Sequence, residues 1–101
     1  MPMETVSEAL RRLTAAGYTD DYRAEAQGLR SRSNGTVHPP DLFRVNEVVR
    51  FEGDSDPSDE SAVFALISEA DGTRGTYTAA YGPMMDPLDA DMVRLLGSRS
   101  R

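Results

Sequence analysis

Cysteine, lysine and tryptophan are absent from this chain of 101 residues, and histidine occurs once. Without cysteine, neither a disulfide framework nor a thiolate metal site can form. With His38 alone, histidine-based metal sites and Ser-His relays are nearly excluded too, and its place before two prolines reads as a turn. No Gly-x-Gly-x-x-Gly or Walker-type phosphate loop is present. No run approaches the roughly 18 apolar residues of a membrane-spanning helix. Met1 to Glu8 lacks the basic start and apolar stretch of a secretory signal. A soluble, cytoplasmic protein is the expectation.

Positive charge is also in deficit. The formal net charge is −6, which argues against nucleic acid or an anionic membrane as partner, since both need a positive field. All eleven basic residues are arginine. A GC-rich genome accounts for that. Selection for bidentate anion binding would require the arginines to converge, and along the sequence they are scattered.

What is there describes one domain, residues 1–101, large enough to bury about two thirds of its unfolded surface. Its centre is a run of three strands. Phe43 to Glu52 carries Phe43, Val45, Val49 and Phe51 on alternate positions, the mark of a strand with one face on a core. Ala62 to Ser68 is apolar on both faces, as a central strand is. Gly75 to Tyr81 is rich in aromatic and β-branched residues.

Upstream, Thr5-Val6-Ser7-Glu8 has the capping-box form, and Val6, Leu10 and Leu13 follow at helical spacing. Gly17 and Tyr18 suit a Schellman ending, with Tyr18 packed on Leu13. Tyr22 to Gln27 alternates as a strand, whereas Gly28 to Ser33 shows no pattern. Asn34-Gly35 is a hairpin signal, so Thr36-Val37-His38 is expected to return beside the Tyr22 strand. The prolines of His38-Pro39-Pro40-Asp41-Leu42 then break the ladder and allow a short helical turn. Leu88, Met92, Leu95 and Leu96 share one face of a last helix, capped by Asp86 or Asp89 and ended by Gly97, with residues 98–101 a flexible tail. The expected fold is α+β: a mainly antiparallel sheet of about five strands, with the N- and C-terminal helices packed on one face.

The acidic stretch Glu52 to Ser61 reads as a solvated loop. Its Asp54, Asp56 and Ser58 suggest a calcium loop, but Asp59 and Ala65 stand where an EF-hand needs glycine and glutamate. No metal site and no cofactor are expected. Glu47 is more informative, because it lies in the core-facing row between Val45 and Val49. An unpaired carboxylate there is costly. Either it pairs, with Arg50, Tyr77 or Tyr81, or a bulge turns it outward. A site carboxylate is the functional alternative to that structural reading.

Several short stretches together carry a family likeness: Gly17-Tyr18, His38-Pro39 before Asp41, Arg50-Phe51-Glu52-Gly53, Asp56-Pro57 and Ala79-Ala80-Tyr81-Gly82. In these the chain resembles a family of small bacterial proteins, some of them labelled phosphoribosylpyrophosphate synthetase. The resemblance implies a bacterial origin and a compact α+β fold, and it carries over no catalytic residue. The residues do not support the synthetase label, since such enzymes have two related domains and a pyrophosphate-binding loop after an acidic pair.

The leading functional expectation is a small binding module, homodimeric and without catalysis. Candidate binding residues are Glu47, Arg50, Glu52, Tyr77 and Tyr81, with a small anionic ligand as one possible partner. The rival is a small enzyme or accessory factor acting on a phosphorylated sugar or nucleotide through Arg50, Glu47 and Glu52. Convergence separates the two, and regular alternation sets Arg50 on the face opposite Glu47. The homodimer follows from an apolar strip, Val63, Ala65 and Ile67 with Val48, which two helices on the other face leave uncovered.

Overall fold

The computed structural model describes residues 4–51, 61–80 and 85–99. Helix α1 (Val6–Ala15) begins at Thr5, whose hydroxyl accepts from the Glu8 amide while the Glu8 carboxylate accepts from the Thr5 amide. Both halves of the capping box are therefore made. At the other end Gly17 has φ +108°, and the Tyr18 amide donates to Leu13 O at 3.0 Å, the long bond of a Schellman motif.

Two three-stranded antiparallel units follow. The first is β1 (Asp20–Glu25), β2 (Gly28–Ser31) and β3 (Val37–His38). A 3-10 turn, Pro40–Leu42, leads into the second, β4 (Phe43–Phe51), β5 (Ser61–Ser68) and β6 (Arg74–Ala80). The chain ends in α2 (Pro87–Arg99). The strand order is β3-β2-β1-β6-β5-β4, and β1 meets β6 in parallel at the centre. The fold is α+β with a mixed sheet of six strands.

The two helices lie on opposite faces, not on one as the sequence pattern suggests. Ala62, Phe64 and Leu66 of β5 pack with Tyr22, Leu29, Phe43, Tyr77 and Ala79 beneath Met92 and Leu96 of α2. The alternate residues Val63 and Ala65 pack with Leu13 and Tyr18, and Val6, Leu10 and Ile67 join that cluster. A strand apolar on both sides needs a cover on each, and each helix supplies one. Val63 and Ala65 are buried beneath α1 with Ile67 partly covered beside them, and Val48 packs on the α2 face, so these four residues form no common uncovered strip of the kind on which a homodimer was expected.

Two further differences concern the first unit. Gly28 to Ser31 is a strand although it shows no periodic signal, because only Leu29 among its four residues is apolar. Asn34-Gly35 accordingly turns β2 into β3, and β3 pairs with β2, not with β1. The β1–β2 turn relies on Gly28 instead. Its φ is +145°, and a Cβ there would fall 2.1 Å from His38 O.

In α2, Asp86 accepts from the Leu88 amide at 2.8 Å and so is the cap. The helix runs past Gly97 to Arg99. Met92 and Leu96 are buried, whereas Leu88 and Leu95 stand at the margin, 41% and 38% exposed. Among the described residues no helix is long and apolar enough to cross a membrane. The acidic stretch from Glu52 to Glu60, with its calcium-like aspartates, lies outside the described residues, as does Tyr81.

Candidate functional site

Glu47 is where the sequence posed its sharpest question, and both of the structural answers apply. The β4–β5 register shifts between Val45 and Glu47, leaving Asn46 as the bulged residue. Val45 stands across from Leu66 on the α2 face, while Glu47 stands across from Ala65 on the α1 face. Asn46 Nδ2 donates to the Tyr18 hydroxyl at 2.5 Å. The Glu47 carboxylate receives Arg12 Nη2 at 2.9 Å and Nη1 at 3.4 Å, and Arg12 also holds Glu4 at 2.7 and 3.1 Å. Among the described residues its partner is thus a helix arginine, and neither Arg50 nor Tyr77. The bond to Glu4, then that to Glu47, raises the Arg12 pKa, and Arg12 holds Glu4 below its usual range. This group ties α1 to β4 at the surface.

The other candidates do not join it. Arg50 stands across from Ala62, exposed on the α2 face. Tyr77 is buried on that same face two strands away, stacked on Phe64 at 5.9 Å, and donates to Asp89 Oδ1 at 2.5 Å. Glu52 and Tyr81 lie outside the described residues. Glu47, Arg50 and Tyr77 therefore form no common site.

Convergence occurs elsewhere, on the β1–β2 hairpin. Arg23 and Arg30 are directly paired across the two strands, and Arg32 continues the same row with its amide on Asp21 O at 2.9 Å. All three side chains are exposed, and with Ser31 and Gly35 they line a cavity of about 390 Å³. Like charges directly opposite one another are destabilising. One of the three is neutralised: Arg30 grips Glu25 with Nε at 2.5 Å and Nη2 at 3.0 Å, and its Nη1 donates to Gly35 O at 2.8 Å. That grip lowers the Glu25 pKa and raises that of Arg30. Among the described residues, no carboxylate pairs with Arg23 or Arg32. Arg11, Arg50 and Arg74 also lack one, but they stand on other elements.

A buried carboxylate fixes this row. Asp20 is 7% exposed and accepts from the Asp21 amide at 2.8 Å, the Ser33 amide at 3.0 Å, the Ser33 hydroxyl at 3.0 Å and the Ser31 hydroxyl. Burial alone would raise its pKa; the bonds from Ser31, the Asp21 amide and Ser33 together outweigh it and hold the group below its usual range. Residues 31–33 are thereby pinned to the start of β1, which holds Arg32 at the cavity that Arg23 and Arg30 also line. Asn34 Oδ1 closes the next turn by accepting from the Thr36 amide at 3.0 Å.

Beside this cavity the sheet forks. β1 and β6 are in register only at Asp20–Gly75 and Asp21–Thr76, and beyond them a cavity of about 330 Å³ opens. Asp21, Tyr22, Arg23, Ala24, Tyr77, Thr78 and Asp89 line it, so Arg23 borders both spaces. Gly75 permits the junction: a Cβ there would fall 2.5 Å from Asp20 O.

The arginine row was missed in the sequence because β2 was missed. Once Gly28–Ser31 is a strand, the spacing Arg30-x-Arg32 puts both residues on one face, and a tight turn from Glu25 to Gly28 brings Arg23 opposite. No group of three or more potential metal ligands occurs among the described residues. Comparison with family models, with curated proteins and with solved structures found no match.

Proposed function

We propose that the protein is a binding module for a small anionic ligand, held on the hairpin by Arg23, Arg30 and Arg32. The observation that carries this reading is convergence: three guanidinium groups line one cavity in a chain of net charge −6, and two of them have no carboxylate partner among the described residues. Guanidinium is a planar, permanently charged fork suited to oxyanions. Arg23 and Arg30 lie on paired strands, and Asp20 braces the turn that carries Arg32, so the backbone of the row is set before binding.

A panel of small anions scored by melting temperature tests it. A ligand at a hundred times its Kd stabilises the folded state by about 2.7 kcal/mol. At least one anion should raise the wild-type melting temperature. The Arg23→Gln/Arg32→Gln variant should lose that response, and Arg50→Gln, on the opposite face, should keep it. A response that survives the double substitution places the site elsewhere.

A further inference from the structure

Resting on that reading, we infer that the ligand presents a dianionic phosphoryl group, and that Glu25 sets the charge the cavity accepts. Three guanidiniums line the space, and Glu25 neutralises one of them through a bidentate grip. Two positive charges remain, on Arg23 and Arg32. A phosphate monoester carries between about −1.5 and −2 at neutral pH, so it matches that remainder, whereas a single carboxylate leaves one cation uncompensated.

Geometry selects in the same direction. Each free guanidinium presents a fork that takes two oxygens side by side. Arg23 comes from β1 and Arg32 from the turn after β2, where its amide on Asp21 O continues the pairing and sets the two at diagonal positions with side chains within reach of one another. A carboxylate has a single pair of oxygens and so offers one edge to one fork. A phosphoryl group has three terminal oxygens, so two forks can each take a different edge. Arg30 already spends Nε, one Nη1 hydrogen and one Nη2 hydrogen on Glu25 and Gly35. It keeps two N–H groups of its own five, enough to touch the ligand without being its main clamp.

Glu25 then acts as a built-in competitor. It occupies the fork of Arg30 and adds a negative charge beside the incoming anion. Removing that charge frees the third guanidinium.

Calorimetric titration with methyl phosphate and with acetate, a single carboxylate, separates the possibilities. Methyl phosphate should bind at least tenfold more tightly than acetate. Arg23→Gln and Arg32→Gln should each weaken methyl phosphate at least tenfold, and Glu25→Gln should strengthen it about threefold or more. Equal affinity for the two anions would leave the anion site standing and overturn the phosphoryl assignment. Unchanged affinity in Glu25→Gln would remove Glu25 from its role. Binding of neither anion, by a protein whose circular dichroism is native, would overturn the anion site itself.

Discussion

Single side chains decide two things here, where α1 starts and how β1 is tied to the turn after β2. Thr5 supplies the oxygen that satisfies the Glu8 amide, so Thr5→Ala should cost about 1 kcal/mol; an unchanged urea midpoint would show that the cap contributes nothing. Asp20 matters more, because four donors converge on a carboxylate that is almost wholly buried. Hydrogen bonds to a charged group are each worth about 1.5–3 kcal/mol, and Asp20→Asn keeps some of them, so a net loss of about 2 kcal/mol is expected. The sign of the pH effect follows from the lowered pKa in the folded state. Near neutrality both states are ionised and the stabilisation is complete. As pH falls below about 4, the usual value for an aspartate, the unfolded chain takes up its proton first and stability drops. Urea midpoints measured through this acid range should fall more steeply for wild type than for Asp20→Asn. Parallel curves would mean that Asp20 is not the group responsible.

At the scale of elements, close approach of backbones sets the sheet, and three glycines separate its causes. Gly75 lacks room for a Cβ, Gly28 lacks room and has positive φ, and Gly35 has positive φ in open space. Gly75→Ala should cost about 1–3 kcal/mol as overpacking, Gly35→Ala about 1–2 kcal/mol as backbone strain, and Gly28→Ala more than either. If Gly35→Ala proves the most damaging, the β1–β6 junction at Gly75 and the approach of His38 to Gly28 are looser than described.

The same elements show what the sequence could and could not reveal. The caps of α1 and the three long strands β4 to β6 were legible because each depends on contiguous residues, and the α2 cap was legible as Asp86 or Asp89. The β4 bulge was legible as an alternative only, since Glu47 in a core row admits pairing or a turn outward, and Arg12 is far from it in the chain. The β2 strand was not legible: four residues with one leucine carry no period, and its pairing is set by a glycine that lets the chain reverse. The arginine site depends on that strand and was hidden with it.

For the molecule as a whole, the lesson of β5 is that a strand apolar on both sides calls for two layers. Reading both helices onto one face left a false apolar surface, and Val63 shows the difference most sharply. It is fully buried among Leu13, Tyr18 and Ala65. Val63→Asp should therefore cost about 3–5 kcal/mol, as an unpaired buried charge does, with a lower unfolding midpoint. A stably folded variant whose sedimenting mass is half that of wild type would instead make this face a contact between two copies.

The acidic whole and the basic row also bear on the central claim, because an anion attracted to this chain must be drawn by a local field. That field is confined to about a Debye length, roughly 8 Å at physiological salt. The most direct measurement is NMR of the arginine Nε–Hε groups during titration with inorganic pyrophosphate at low salt. Saturable shifts should appear at Arg23, Arg30 and Arg32, while Arg12, held by Glu4 and Glu47, and Arg50, on the other face, stay in place. Shifts spread evenly over the exposed arginines, or absent from these three, would contradict the account.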